Sequence, residues 1–211
     1  MTQILVFGDS ITWGACDSDK GGWVERLKVY VGEHYEGSVY NLGVSGDTTE
    51  DLLERFEFET THRLEEDEET IIIFDIGIND SQFIHSQNSN KVPPQEFQGN
   101  LQKLINLAQK FSSKIVFVGL FPVDETKTIP IPWDKDKSYK NEYIKKYNNT
   151  IRSMTEENKL YFIDVFNKLL SLNYQILLED GLHPNAEGHQ KIFETVRGYL
   201  IENKILLLQE R

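Results

Sequence analysis

Four short blocks of this 211-residue chain bring together side chains suited to acyl transfer: Gly8-Asp9-Ser10-Ile11-Thr12, Gly43-Val44-Ser45-Gly46-Asp47, Gly77-Ile78-Asn79-Asp80 and Asp180-Gly181-Leu182-His183-Pro184. A serine hydroxyl is a weak nucleophile until a base takes its proton. His183 can be that base, because a neutral imidazole accepts a proton near neutral pH, and Asp180, three residues earlier, can reach its other ring nitrogen within one turn. A tetrahedral intermediate also needs hydrogen-bond donors aimed at its oxyanion. The Asn79 amide and the backbone N–H of Gly43 are the candidates. Ser10, Asp180 and His183 are therefore expected to do the chemistry, with Gly43 and Asn79 stabilising charge.

For these blocks to meet, the fold must carry them to one place. Apolar or β-branched runs predict strands at 4–7, 39–42, 71–76, 115–120 and 161–163, and most are continuous enough to be buried on both faces. Amphipathic stretches predict helices at 23–34, 49–63, 94–111, 139–158 and 185–203. Alternation of strand and helix is the pattern of an α/β doubly wound parallel sheet, with right-handed crossovers, in one domain spanning 1–211. Ligands in such sheets gather beyond the carboxyl ends of the strands. The first three blocks directly follow predicted strands.

Taken together and in this order, Gly8-Asp9-Ser10, Gly43, Gly77-x-Asn79-Asp80 and Asp180-x-x-His183 resemble the G-D-S-L, or S-G-N-H, hydrolases, a family of lipases, esterases and thioesterases. Each motif is weak alone; the ordered set is specific. The resemblance implies a three-layer α/β/α sandwich, flavodoxin-like, around a five-stranded parallel sheet. It implies Ser10 as nucleophile, His183 as general base and acid, and Asp180 as the residue holding the imidazole. The oxyanion hole would comprise the Ser10 and Gly43 N–H groups and the Asn79 amide, with no metal and no cofactor required. Ile11 stands where the family's name has leucine, and Gly46 lies close enough to Gly43 to compete for its role.

The substrate would be a small-molecule ester or thioester. The proline-rich segment from Phe121 to Tyr139 follows the fourth predicted strand and should border the site, with Trp133 as a wall of the pocket; Ser81 to Val92 forms a second candidate rim, with Phe83 and His85 as contacts. The net charge of −12 repels phosphate backbones and argues against nucleic acid as a partner. Apolar runs such as Ile71-Ile72-Ile73-Phe74 are far shorter than the roughly 20 residues of a membrane span. A lone Cys16 and the absence of a basic, apolar leader point to a reducing, cytoplasmic setting. The tail Ile205-Leu206-Leu207-Leu208 could pack under the sheet or join a homo-oligomer contact.

Other features call for ordinary explanations. Gly43-Val44-Ser45-Gly46 lacks the second glycine of a Gly-x-Ser-x-Gly elbow, because Asp47 occupies it, so Ser45 reads as a loop residue. Nothing in the sequence around Cys16 marks an activated thiol, and it reads as inert. His34 and His62 fall late in helices, His189 reads as structural, and the run from Glu65 to Glu69 reads as a solvated turn. Two alternatives remain: a magnesium-dependent phosphatase using Asp9 with Asp80 and Asp180, and a non-catalytic nucleotide- or flavin-binding module of the same topology.

Overall fold

The computed structural model describes residues 1–65 and 67–206. Strand β1 (Thr2–Gly8) is followed by one helical turn, α1 (Ser10–Trp13), and by α2 (Trp23–His34). Next come β2 (Gly37–Gly43) and α3 (Thr49–Thr61). Strand β3 (Glu69–Asp75) leads into a short hairpin, β4 (Phe83–Ile84) and β5 (Ser89–Asn90), and then α4 (Pro94–Ala108). After β6 (Lys114–Val118) come α5 (Glu125–Thr128), β7 (Lys137–Ser138) and α6 (Asn141–Glu157). Strand β8 (Tyr161–Ile163) precedes α7 (Val165–Leu170), a 3-10 turn (Tyr174–Leu177) and α8 (Ala186–Glu202).

Five of the strands form a parallel sheet in the order β2-β1-β3-β6-β8. Strands β1 and β3 are buried over six of their seven residues, as expected where helices cover both faces. Helices α2 and α8 pack together, and α3, α4 and α6 form the other packed series. This is the doubly wound parallel sheet that the strand-helix alternation predicts, in the three-layer α/β/α form that the family resemblance implies. A row of rings fixes the layer spacing: Phe56 of α3 lies 4.9 Å from Phe7 and 5.4 Å from Phe74, and Phe74 lies 4.9 Å from Phe117. Each fully buried ring contributes about 1.5–3 kcal/mol. Among the described residues no helix is long and apolar enough to cross a membrane.

The sheet order reverses between β1 and β3, because the chain adds β2 on one side of β1 and then returns to add β3 on the other. That switch opens a crevice beyond the carboxyl ends of β1 and β3. Ser10 and Asn79 therefore arrive at the same edge by topology alone.

Several expectations are adjusted. Helices predicted to reach residues 63 and 111 stop at Thr61 and Ala108. The two rims, predicted as separate loops, are joined: β4 pairs with both β5 and β7, matching Phe83 with Ser138 and Ile84 with Lys137. A two-residue strand has no readable periodicity, which is why the sequence conceals it. Helix α7 was also missed; Asp164 caps it by accepting the Asn167 N–H at 3.2 Å. Of the tail, Ile205 and Leu206 are buried and their N–H groups return to the Leu200 carbonyl, so this part packs. Leu207 and Leu208 lie outside the described residues, as does Glu66 of the acidic run.

Candidate active site

Ser10 opens α1 immediately after β1, with Asp9 as the cap whose carboxylate accepts the Ile11 N–H at 2.9 Å. As first residue of the helical turn, Ser10 has a backbone N–H with no intrahelical acceptor. Its hydroxyl oxygen lies 3.0 Å from His183 Nε2. His183 Nδ1 in turn lies 2.7 Å from Asp180 Oδ2. The other Asp180 oxygen accepts the N–H groups of Leu182 and His183 at 2.9 and 2.8 Å. One residue thus folds the loop and orients the ring.

Burial works to raise the Asp180 carboxyl, but the His183 ring and the N–H groups of His183 and Leu182 outweigh it and hold the group down at about 2. An ionised carboxylate only accepts hydrogen bonds, so Nδ1 must carry the proton and Nε2 is left with the lone pair facing Ser10. The loop is braced from outside as well. Leu178 bridges Pro184, the Glu179 N–H meets the His183 carbonyl at 2.9 Å, and Asp124 donates its N–H to the Gly181 carbonyl at 2.8 Å.

A cavity of about 370 Å³ opens beside this array. Asn79 lines it. Its amide nitrogen donates to the Asp47 carbonyl at 3.0 Å, and its amide oxygen accepts from the Tyr139 hydroxyl at 2.8 Å. The Asp47 carbonyl can only accept, which fixes the amide's direction and leaves the second N–H of Nδ2 for a ligand. Tyr139 thus lines the cavity and orients Asn79, and no local motif in the sequence marks it for that contact.

Two predicted contacts are placed elsewhere. Gly43 ends β2 in close packing: a Cβ there would lie 2.3 Å from the Trp13 backbone nitrogen, and its own N–H is taken by Asn41 Oδ1 at 3.1 Å. It is not among the residues lining the cavity, whereas Gly46 is. Gly46 has φ +88, a left-handed conformation suited to glycine, and its N–H has no acceptor among the described residues. Arg55 fixes the segment on which Gly46 sits, bonding Asp47 Oδ2 at 2.7 Å and the Gly8 carbonyl at 3.2 Å. Phe83 also misses the cavity. Its ring stacks on Tyr143 at 5.4 Å with Lys140 above it, because alternation along β4 turns it away from the site. His85 serves the rim, bonding Ser138 Oγ at 2.8 Å.

Trp133 does line the cavity and remains 57% exposed. Gln82, Lys91, Lys137 and Ser45 join it there, none of them predicted as contacts. His189 is buried and ties α8 to the Ala15 carbonyl at 2.9 Å, a structural role as expected. Asp9, Asp75 and Asp80 form a buried floor beneath the site. Burial pushes Asp75 up to about 6, against hydrogen bonds from Thr12 and Trp23, and pushes Asp80 up to about 6, against those from Thr49. Asp9 is raised well above the usual carboxylate range, chiefly by burial and then by the neighbouring Asp75. These three acids do not converge with Asp180 on a cation site among the described residues.

A parallel sheet with its switch point at β1 and β3, a serine-histidine-aspartate array beyond it and an amide-lined cavity define an α/β hydrolytic enzyme class. The model of the GDSL-like Lipase/Acylhydrolase family matches residues 6–191, and the chain belongs to that family. An arylesterase of Vibrio mimicus is 24% identical over 202 residues, covering 95% of this chain and 89% of the relative. An acetylxylan esterase of Geobacillus stearothermophilus is 26% identical over 206 residues, covering 89% and 88%. The crystal structure of a lipase/acylhydrolase from Enterococcus faecalis superposes with a TM-score of 0.80 at 22% identity, covering all of both chains. The protein is an ester-hydrolysing enzyme, which sets aside the phosphatase and the non-catalytic binding module.

Proposed function

We propose that the chain is a serine esterase for small acyl groups carried on polar alcohols. Ser10 Oγ attacks the ester carbonyl while His183 Nε2 takes the hydroxyl proton. The tetrahedral oxyanion is held by the Ser10 N–H, the free N–H of Asn79 Nδ2 and the Gly46 N–H, the last replacing Gly43 of the sequence-based expectation. Collapse expels the alcohol, which receives the proton from His183, and leaves an acyl-serine. Water then attacks with His183 again as base, and the acid departs. Asp180 keeps the imidazole in the productive tautomer throughout.

The observation that carries this reading is the continuous hydrogen-bonded array, 3.0 Å from Ser10 to His183 and 2.7 Å from His183 to Asp180, opening into the cavity. The acyl size follows from the cavity itself. About 370 Å³ lined by Ser45, Gln82, Lys91, Lys137 and Tyr139, with Trp133 as the aromatic wall, suits a short acyl chain and a hydrogen-bonding alcohol better than a long apolar tail. A relative named for acetylxylan is in line with an acetyl-sized group.

The direct test is labelling of the folded protein with a fluorophosphonate, which traps activated serines, followed by mass-spectrometric mapping against heat-denatured and Ser10→Ala controls. The expected result is an adduct on Ser10 in the folded wild type alone, with Ser10→Ala folded and devoid of turnover. An adduct on Ser45, or a folded and active Ser10→Ala variant, overturns the assignment.

A further inference from the structure

The loop between α1 and α2 brings a side chain to the site that the reaction does not use. The Cys16 thiol, Asp180 carboxylate and His183 imidazole each offer a donor atom, and these atoms lie within 4.8 Å of one another. Sulfur, nitrogen and carboxylate oxygen are the donor set of a borderline-soft divalent cation such as Zn²⁺, which takes them at about 2.0–2.3 Å in a tetrahedron. Cys16 is exposed, so the thiol can turn about χ1 toward the other two and a cation can reach it from solvent.

The backbone holds this thiol in place by unusual means. Cys16 has φ 65, a left-handed conformation that few non-glycine residues adopt. Both neighbours are anchored. The Ala15 carbonyl bonds His189 of α8 at 2.9 Å. Asp17 is ion-paired with Arg26 of α2, both side chains being buried, and Arg26 reaches on to the Ala186 carbonyl at 3.2 Å. Burial, Asp180 and Glu179 all push the thiol's pKa up, so Cys16 is no nucleophile by default. The same carboxylates favour a cation beside it.

We propose that Cys16, Asp180 and His183 form an inhibitory site for a thiophilic divalent cation, Zn²⁺ being the best fit. The inhibition follows from the ring. Nδ1 is the atom bonded to Asp180 and Nε2 the atom bonded to Ser10, so either nitrogen taken by the metal is one that the hydrolytic array needs. On binding, the thiol proton passes to solvent, the ring's one proton stays on whichever nitrogen the metal leaves free, moving from Nδ1 to Nε2 where Nδ1 is the ligand, and the thiolate completes a three-ligand set with a fourth position left to water. The effect on activity rests on the reading of His183 as base; the binding does not.

The test is a Zn²⁺ titration of ester hydrolysis with the wild type and Cys16→Ser, with Co²⁺ as an optical probe of the same site. The wild type is expected to lose activity as Zn²⁺ is added and regain it with a chelator. Cys16→Ser should keep its basal kcat/KM and need at least about tenfold more Zn²⁺ for the same inhibition. Co²⁺ should give a thiolate-to-metal charge-transfer band with the wild type and with Ser10→Ala, but none with Cys16→Ser. Equal Zn²⁺ sensitivity in Cys16→Ser, absence of the cobalt band, or a band with full activity each overturns the proposal. A band that persists in a protein whose Ser10 fails to label separates failure of the esterase reading from failure of this one.

Discussion

Two sets of aspartates lie within one active region and are driven in opposite directions. On the loop after the 3-10 turn, Asp180 meets an imidazole and two N–H groups and is held down at about 2. On the floor below Ser10, Asp75 and Asp80 are enclosed by the sheet and α3 and are pushed up to about 6, because hydroxyls, an indole and one amide do not offset the loss of water. The chemistry of the side chain is identical. The difference teaches that in this fold a carboxylate is held in its charged form where an imidazole and backbone N–H groups together outweigh burial, and binds its proton more tightly where burial outweighs its donors.

Removing the Asp180 charge should have the largest effect. Asp180→Asn keeps the shape but can present its amide N–H to Nδ1, turning the ring's proton toward Ser10; kcat is expected to fall on the order of 10³–10⁴-fold with little change in melting temperature. Steady-state kinetics beside thermal melting checks this. A near-normal kcat would mean that Asp180 only shapes the loop. The next effect concerns the amide above the floor. Asn79→Ala should lower kcat by on the order of 10²–10³, whereas Tyr139→Phe, which removes only the hydroxyl orienting that amide, should cost about tenfold in kcat and leave KM nearly unchanged. Equal losses in the two variants would assign the oxyanion role to Tyr139 itself.

What the sequence made legible follows the same division. Asp180 and His183 could be read because a spacing of three residues already implies their contact, Ser10 because the ordered set of motifs carries the family resemblance, and the five strands because continuous apolar runs have few other uses. The choice between Gly43 and Gly46 could not be read: the two glycines stand three residues apart, and only the folded backbone shows that one packs against Trp13 while the other lines the cavity. The rim from Ser81 to Val92 could be read but not which of its side chains face the cavity: Gln82 and Lys91 do and Phe83 does not, because in a two-residue strand the facing side is set by pairing with β7, a long-range event. Tyr139 reaches Asn79 across 60 residues, and no local pattern encodes that.

The smallest effect sharpens the comparison without touching the chemistry. Because folding raises Asp75 from its ordinary value to about 6, the folded state binds a proton more tightly than the unfolded one. Its contribution to stability is fully present below about pH 4 and is lost as pH rises through about 6. Asp180 has the opposite sense: its contribution is present above about pH 4 and is lost as pH falls through about 2, reduced because the group is partly exposed to solvent. His189, whose pKa burial lowers, adds a slope of its own that opposes Asp75, since its neutral form is lost as pH falls. Comparing the wild type with Asp75→Asn removes that shared term. The amide can still accept from Thr12 and Trp23 through its one oxygen but cannot ionise. Urea unfolding from pH 4 to pH 7 should therefore show the wild type losing stability relative to Asp75→Asn as pH rises, with most of the change between about pH 4 and pH 6. A constant difference between the two proteins across that range would mean that Asp75 is not the proton-holding group of the floor, and would move the assignment to Asp80 or Asp9.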